Sequence, residues 1–521
     1  MEHGNNRRIA KNTLLLYFRM MFMMLVSLYT SRVVLQQLGI DDYGIYEVVG
    51  GVVGLLSFIS GALASGSTRF LAFELGKGDR RKMIKTFSSI FIIHTVFALV
   101  VVVLLETVGL WFLHNKLAIY DNRMEAAVFV FQVSVITSFI TFTQIPYTAS
   151  VMSHERMSIF AYVSIIEVVL KLAIVYMLPY GGFDKLKYYA LLLLIVQTFI
   201  ALIYRWYCTR NFEETKKCMI IDWGMIKNIL FYSLWNLFTN ITMTLKNQGV
   251  VVLISMFFTP QVVTARALAN KINMAANQFA DNFRAASNPQ IIKRYAAGDK
   301  DGSKSLTISI SMYSFYLMLM LGVPIMLVAE PLIKFWLGQV PEYSVIFLQF
   351  AIATSIINSM NNSFYTALCA VGKLKFNSIF SAIVSVLVVP IGYVCFKLGL
   401  SPVSIAIIIL IDDMILSFVV KPIVLIYDAE FKWSEISKCY WSCLKVTLCA
   451  IPIPVFLSIY RDQLFLNDYI GYSVILFITM SCLFLFIWTL GISKVLKMLQ
   501  CVCNKVVISL IKLKISKKYG F

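Results

Sequence analysis

The chain has 521 residues, of which 59% are hydrophobic and 14% are charged, and its formal net charge is +19. Its mean hydropathy of +0.78 excludes an ordinary soluble globular protein. In a soluble chain this positive charge would suggest a nucleic-acid partner. Its placement here indicates membrane topology instead, so no nucleic-acid partner is expected.

Apolar runs of about 20 residues, which match the thickness of a bilayer core, recur along the whole chain. They predict an all-α polytopic membrane protein with fourteen spans. Helices 1 to 6 are predicted at about 12–38, 43–74, 86–113, 125–151, 158–178 and 188–208. Helices 7 to 14 are predicted at about 225–258, 262–288, 306–328, 344–370, 376–396, 403–420, 439–459 and 469–492.

The basic residues assign the two sides of the membrane. With the N-terminus in the cytoplasm, the inner segments hold 30 Lys and Arg residues and the outer loops hold 7. This bias follows the positive-inside rule and predicts that both termini are cytoplasmic. The basic tail 494–521 is interpreted either as a membrane-surface helix or as a simple cytoplasmic anchor.

Predicted helix 8 carries a polar stripe. Its polar residues recur every three or four positions, which puts them on one helical face. They are Arg266, Asn270, Asn273, Asn277, Asp281, Arg284 and Asn288. A surface helix here would invert every later loop, so helix 8 is interpreted as a span. The stripe then either lines a hydrated cavity for a polar headgroup or hydrogen-bonds neighbouring helices.

An internal repeat relates helices 1–6 to helices 7–12 at an offset near 220 residues. Gly78-Asp79 returns as Gly298-Asp299, and the segments 147–149 and 158–160 return as 365–367 and 378–380. Six spans per repeat give two parallel lobes, with a site expected between them. The predicted domains are an N-terminal lobe (1–208), a cytoplasmic linker (209–224), a C-terminal lobe (225–427), helices 13 and 14 (428–493) and the basic tail (494–521).

Three motifs resemble the multidrug/oligosaccharidyl-lipid/polysaccharide (MOP) exporter superfamily, above all its polysaccharide flippase branch, which is related to the drug-exporting MATE proteins. They are the helix 1–2 junction LGIDDYGIY at 38–46, the SGSTRF end of helix 2 at 65–70, and Asn288-Pro289 at the end of helix 8. The resemblance implies a V-shaped pair of six-helix lobes working by alternating access.

The resemblance also implies a function, a place and partners. The expected function is flipping undecaprenyl-diphosphate-linked oligosaccharide, an O-antigen, capsule or exopolysaccharide repeat unit, across the bacterial inner membrane. The expected partners are this lipid-linked oligosaccharide, membrane lipids and polysaccharide polymerase machinery. A MATE-type cation or drug exporter driven by a proton or sodium gradient is the alternative.

Cationic side chains inside the spans suit a diphosphate, because guanidinium forms charge-assisted and often bidentate hydrogen bonds to phosphate oxygens. The lipid II flippase of the superfamily uses arginines of helices 1, 2 and 8, and Arg19, Arg69 and Arg266 occupy those helices here. The candidate substrate-binding residues are Arg19, Arg69, Arg266, Asn270, Lys271, Asn273, Asn277, Asp281 and Arg284.

Acidic residues inside the spans are the candidates for ion coupling. Asp412 and Asp413 lie in helix 12 with no partner visible in the sequence, and Glu167 is spaced to pair with Lys171 in helix 5. Helix 7 carries Lys246 where MATE exporters typically place an acid, which counts against a drug exporter. No nucleotide-binding or catalytic motif and no Cys/His cluster occurs, so no enzyme activity, cofactor or metal is expected.

Overall fold

The computed structural model describes residues 2–491 except 155, 181, 183, 217–219, 374 and 465–467, and the side chains of residues 2–20 also lie outside the described part. The predicted basic tail 494–521 falls outside the described residues as well. Every regular element in the described ranges is helical. The predicted all-α class is therefore confirmed.

The observed helices carry the numbers of the predicted ones. In the first half they are α1 Glu2–Gly54, α2 Ser57–Lys77, α3 Arg80–Lys116, α4 Asp121–Ser153, α5 Ser158–Tyr180 and α6 Lys185–Asn211. Helix α7 joins Trp223–Thr244, a π-helical turn Leu245–Gly249 and Val250–Phe257. It is followed by α8 Pro260–Ala296, α9 Lys300–Leu327 and a short helix Ala329–Leu337. The last are α10 Ser344–Val371, α11 Lys375–Lys397, α12 Val403–Ala429, α13 Trp433–Ile459 and α14 Asp468–Phe486, which ends in the π-helical turn Ile487–Gly491.

Length and apolar composition make this a multi-pass membrane protein. Within the described residues, ten helices are long and apolar enough to cross a membrane, and the count is eleven if the bent pair Met21–Gly54 and Ser57–Leu75 forms one span. Helices α7 and α8 are outside that set, α8 because its polar stripe lowers its hydropathy. The predicted number of fourteen spans is not confirmed by this criterion.

The predicted division between helices 1 and 2 is only partly right. Gly39 has the positive φ of 81° that bends α1 at the predicted junction, and helical structure continues on both sides of it. The second break was not predicted. The chain leaves helical geometry between Gly54 and Ser57, where the axis bends by 53°. Gly54 lies in close contact with Gln248, because a Cβ added there would come 3.1 Å from the Gln248 side chain.

The duplicated Gly-Asp pair forms the same local structure at both of its positions. Gly78 and Gly298 have φ values of 70° and 84°, the left-handed conformation that ends a helix at a glycine. The following aspartates begin the next helices. Asp79 accepts a hydrogen bond from the Lys82 backbone N–H at 3.1 Å, and Asp299 accepts one from the Gly302 N–H at 2.9 Å. The repeat is thus visible in local geometry.

The chain divides into two compact units. Unit 1 contains the chain up to Ala275 together with Ile333–Phe350 and Ser378–Asp412, and unit 2 contains Ala276–Leu332, Ala351–Asn377 and the chain from Asp413 on. The domain boundaries predicted at 208, 224 and 427 stay predictions.

In unit 1, α4 packs against α2, α3 and α6, and α2 packs against α7. Its core includes the fully buried rings of Tyr43, Phe87 and Phe131. Arg123, at the start of α4, bridges two acids: its Nε donates to Asp42 at 2.8 Å and its Nη1 donates to Asp184 at 2.5 Å. This bridge ties α1, α4 and the start of α6 together.

In unit 2, α9 packs against α13 and α14. Gly322 of α9 brings the backbone close to α10, since an added Cβ there would lie 2.6 Å from Ile352. Phe364 of α10 is fully buried and stacks edge-on against Tyr440 of α13. These contacts hold α10 against its neighbours and fix the helix face that forms the cavity described next.

Candidate functional site

A cavity of about 520 Å³ lies within unit 2, between α8 and α10. Helix α8 contributes Asp281, Arg284, Asn288 and Ile292, and α10 contributes Asn362, Tyr365, Thr366 and Cys369. Each set follows helical spacing, so each helix turns a single face to the cavity. Both faces carry polar side chains among apolar surface. The C-terminal part of the predicted stripe therefore lines a cavity.

Arg284 is the buried charge of this cavity. It is 4% exposed, and its Nη2 donates to Asp281, one turn earlier in the same helix. Its Nη1 has no hydrogen-bond partner among the described residues. An unsatisfied buried donor costs about 1–3 kcal/mol.

Farther along the stripe, Asn277 has a different environment. Its Nδ2 donates to the Ser355 hydroxyl of α10 at 2.8 Å. This contact matches the other interpretation of the stripe, hydrogen bonding to a neighbouring helix. Asn273 is half-buried. The stripe is therefore not uniform, and Asn277 contributes to helix packing while Arg284 lines the cavity.

Lys271 belongs to unit 1 and is held by α1. Its Nζ donates to the Ser31 hydroxyl at 2.9 Å and to the Tyr43 hydroxyl, and it lies 3.8 Å from a carboxylate oxygen of Glu47. These groups supply a hydrogen-bonding cage with one counter-charge. Arg266 and Asn270, also in unit 1, are half-buried.

Of the two remaining predicted arginines, Arg69 is described and is not among the lining residues of the cavity. Arg69 is exposed, and its guanidinium lies 5.8 Å from the ring centre of Phe70. The side chain of Arg19 lies outside the described residues. Their predicted role in substrate binding stays a prediction.

The candidate ion-coupling residues have partners. Asp412 is 4% exposed and accepts a hydrogen bond from Lys246 Nζ at 2.5 Å, with Ser385 Oγ 3.4 Å away. Asp412 therefore has a partner that the sequence did not show. Its partner lies 166 positions away in α7, where sequence spacing gives no signal. Glu167 and Lys171 form the predicted pair at 2.6 Å. Asp413 is buried, and its coupling role stays a prediction.

Sequence reasoning missed Lys421. The predicted helix 12 ends at residue 420 and leaves Lys421 outside it, but α12 continues to Ala429 and Lys421 is 9% exposed. A π-helical turn at Leu416–Val420 precedes Lys421, and Pro422 falls at the start of the next α-helical segment. A proline costs least there because its missing N–H has no helical partner. Lys421 Nζ lies 5.3 Å from the ring centre of the cavity residue Tyr365.

In the ranges that the structure describes, no group of three His, Cys, Asp or Glu side chains is placed to hold a metal ion. The features of the site are instead buried cations, amides and hydroxyls. Such groups can donate hydrogen bonds to an anionic, hydroxyl-rich ligand.

Comparisons with known proteins identify the class of fold. No protein-family model and no curated protein matches the sequence. Among solved structures, the lipid II flippase MurJ in an inward closed conformation has a TM-score of 0.67 at 11% identity, covering 91% of this chain and 98% of that one. An inward-facing multidrug resistance MATE family transporter of the MOP superfamily has a TM-score of 0.61 at 13% identity, covering 80% and 98%.

A MOP superfamily transporter from Pyrococcus furiosus, described as having a binding pocket of reverse polarity, has a TM-score of 0.55 at 14% identity, covering 81% of this chain and 97% of that one. The chain therefore has the fold of MOP superfamily transporters, which confirms at the level of fold the resemblance seen in the sequence. These neighbours are transporters and flippases, not enzymes.

Proposed function

We propose that this chain is a flippase that carries undecaprenyl-diphosphate-linked oligosaccharide from the cytoplasmic to the outer leaflet of the bacterial inner membrane by alternating access. The observation that carries the proposal is Arg284, a buried guanidinium with an unpaired donor on the wall of a polar cavity. A diphosphate oxygen is a natural acceptor for that donor. The fold shared with a lipid II flippase and with MATE transporters supports the transporter class.

The rest of the cavity suits the sugar. The amides of Asn288 and Asn362 and the hydroxyls of Tyr365 and Thr366 can hydrogen-bond to sugar hydroxyls. The polyprenyl tail is apolar and can remain in the hydrocarbon core of the bilayer while the polar part of the substrate occupies the cavity. The same chemistry would serve an O-antigen, capsule or exopolysaccharide repeat unit.

The proposal includes the predicted topology: fourteen spans in two parallel six-helix repeats followed by two further helices, with both termini in the cytoplasm. Helix α8 then crosses the membrane despite its polar stripe, because its charges have partners or face a hydrated cavity. Passing the flipped substrate to polysaccharide polymerase machinery is part of the same proposal.

The alternative function is export of small organic cations driven by a proton or sodium gradient. Asp281 favours it, because this carboxylate lines the cavity with 57% of its side chain exposed. Asp412 does not, since Lys246 already neutralises it. The buried guanidinium of Arg284 makes an anionic substrate the better fit.

The decisive experiment depletes the protein and measures the lipid-linked sugars of the membrane. The proposal predicts that an undecaprenyl-diphosphate-linked oligosaccharide accumulates on the cytoplasmic side. Unchanged lipid-linked sugar pools together with altered dye efflux would establish the cation exporter instead.

Single substitutions test whether flipping depends on the cationic residues Arg284 and Lys271. Arg284→Ala and Lys271→Ala are expected to block surface polysaccharide display while the protein remains in the membrane. Arg294→Ala is the matched control, because Arg294 lies in the same helix but is exposed and does not line the cavity. Normal display in both test variants would refute the cationic site.

A further inference from the structure

Lys421 is a buried cation of unit 2 beside a residue that lines the cavity. Its Nζ donates to the Asn377 side-chain oxygen at 2.5 Å and lies 5.3 Å from the ring centre of Tyr365, a lining residue. Lys421 forms no ion pair with any carboxylate of the described residues. An amide oxygen and an aromatic ring therefore balance a full positive charge.

This arrangement leaves the cavity with excess positive charge. Asp281 compensates part of the charge of Arg284, and Lys421 adds a second cation without a matching acid. Burying an ammonium without a counter-ion is unfavourable inside a membrane protein. An anion held in the cavity would provide the missing counter-charge.

We propose that Lys421 is a fixed positive charge of this cavity and that, together with Arg284, it selects a diphosphate over a monophosphate. Arg284 lines the cavity and Lys421 lies beside the lining residue Tyr365, so both act on the ligand through their positive charge. The proposal deepens the proposed function, on which it rests, by naming the part of the substrate that unit 2 recognises.

The electrostatic role has a specific consequence. In a partly buried site, a unit charge one aromatic ring away changes the affinity by about tenfold for each additional charge on the ligand. Lys421 should therefore change the ratio of diphosphate to monophosphate affinity. A lysine that only fills space would leave this ratio unchanged.

Cys369 supplies the reporter for the experiment, because it lines the cavity and its side chain is exposed. The full chain is purified into lipid nanodiscs and treated with a maleimide in the presence of farnesyl diphosphate or farnesyl monophosphate. Peptide mass spectrometry follows modification of Cys369. The exposed Cys449 of α13, which is not part of the cavity wall, provides the internal reference rate.

The wild type is expected to be protected at Cys369 more strongly by the diphosphate than by the monophosphate. Lys421→Met should lower the ratio of the two affinities about tenfold, and Lys421→Arg should restore it. Lys445→Met is the matched control, since Lys445 also lies over an aromatic ring, Trp441, but is exposed in α13. Continued protection of the buried Cys439 and Cys443 from the maleimide shows that the variants are folded.

Equal weakening of both probes by Lys421→Met, no change with either probe, or absence of protection in the wild type would each overturn the proposal. These outcomes are separable from failure of the proposed function. A Lys421-dependent affinity ratio without accumulation of lipid-linked sugar in depleted cells would retain the diphosphate site and refute the proposed substrate. Accumulation with an unchanged ratio would refute only the role of Lys421.

Discussion

Breaking the buried ion pair between Lys246 and Asp412 is expected to be one of the most damaging single changes in unit 1. The two side chains are 14% and 3% exposed, and their charged atoms are 2.5 Å apart. Lys246→Met leaves the carboxylate of Asp412 buried without its counter-ion, and Asp412→Leu leaves the ammonium in the same condition.

The magnitude follows from desolvation. Removing one partner of a buried pair costs about 3–5 kcal/mol, because the remaining charge stays out of water without compensation. Replacing both partners by apolar residues of similar volume is often neutral or stabilising. The double variant Lys246→Met with Asp412→Leu should therefore be more stable than either single variant, with a coupling free energy of about 3 kcal/mol or more.

The assay is a double-mutant cycle on the free energy of unfolding, measured by titrating the micelle-solubilised protein with SDS. Glu167→Leu with Lys171→Met provides the comparison pair, since these side chains are 31% and 43% exposed and should couple by well under about 1 kcal/mol. Additive effects of Lys246→Met and Asp412→Leu would refute the reasoning.

Transport by the double variant then tests the predicted ion-coupling role of Asp412. A stable double variant that restores surface polysaccharide would show that the pair is structural. A stable double variant that remains inactive would support coupling through Asp412.

Gly44→Ala is expected to destabilise unit 1 by about 1–3 kcal/mol, because the added Cβ would collide with the Pro260 carbonyl, whereas Gly50→Ala meets no atom within 4 Å and should be tolerated. Thermal unfolding of the two variants measures the difference, and equal effects would contradict the packing argument. In the segment between α6 and α7, burial favours a higher pKa for Glu214, but hydrogen bonds from His154 and Ser150 bring its pKa below the ordinary value. Its stabilising contribution is therefore present at neutral pH and is lost as the pH falls through the lowered pKa, so the melting temperature should fall more steeply below about pH 5 in the wild type than in Glu214→Gln. Parallel curves for the two proteins would contradict this role.

The helical framework was predictable where local chemistry determines it. Apolar runs located the helices, and Gly78 and Gly298 marked helix ends because glycine adopts the left-handed conformation without a steric penalty. The break at the end of α1 was not predictable in this way. It coincides with a close approach of Gly54 to Gln248, a residue far along the chain, and no local pattern encodes that contact.

The end of helix 12 shows a second limit of local rules. Proline often ends a helix, and a basic residue often flanks a span on the cytoplasmic side. Because Lys421-Pro422 combines the two, the sequence predicts that helix 12 ends at residue 420. The π-helical turn at Leu416–Val420 changes the register so that Pro422 falls where its missing N–H is tolerated. Lys421 is consequently buried beside Tyr365 and does not lie in a loop. A basic residue that had served only to assign the sides of the membrane is therefore a candidate for substrate recognition.

The polar stripe of α8 shows what residue spacing can and cannot specify. Spacing predicts that the polar residues share one helical face, but the partner of each residue depends on whichever helix packs there. Lys271 has a hydroxyl and carboxylate cage in α1, and Asn277 has the Ser355 hydroxyl. Among the described residues, Arg284 has Asp281 of its own helix as a partner and its Nη1 has none. Because a ligand gains most from a donor that the protein has not already satisfied, the anion-binding proposal depends on Arg284 more than on Lys271.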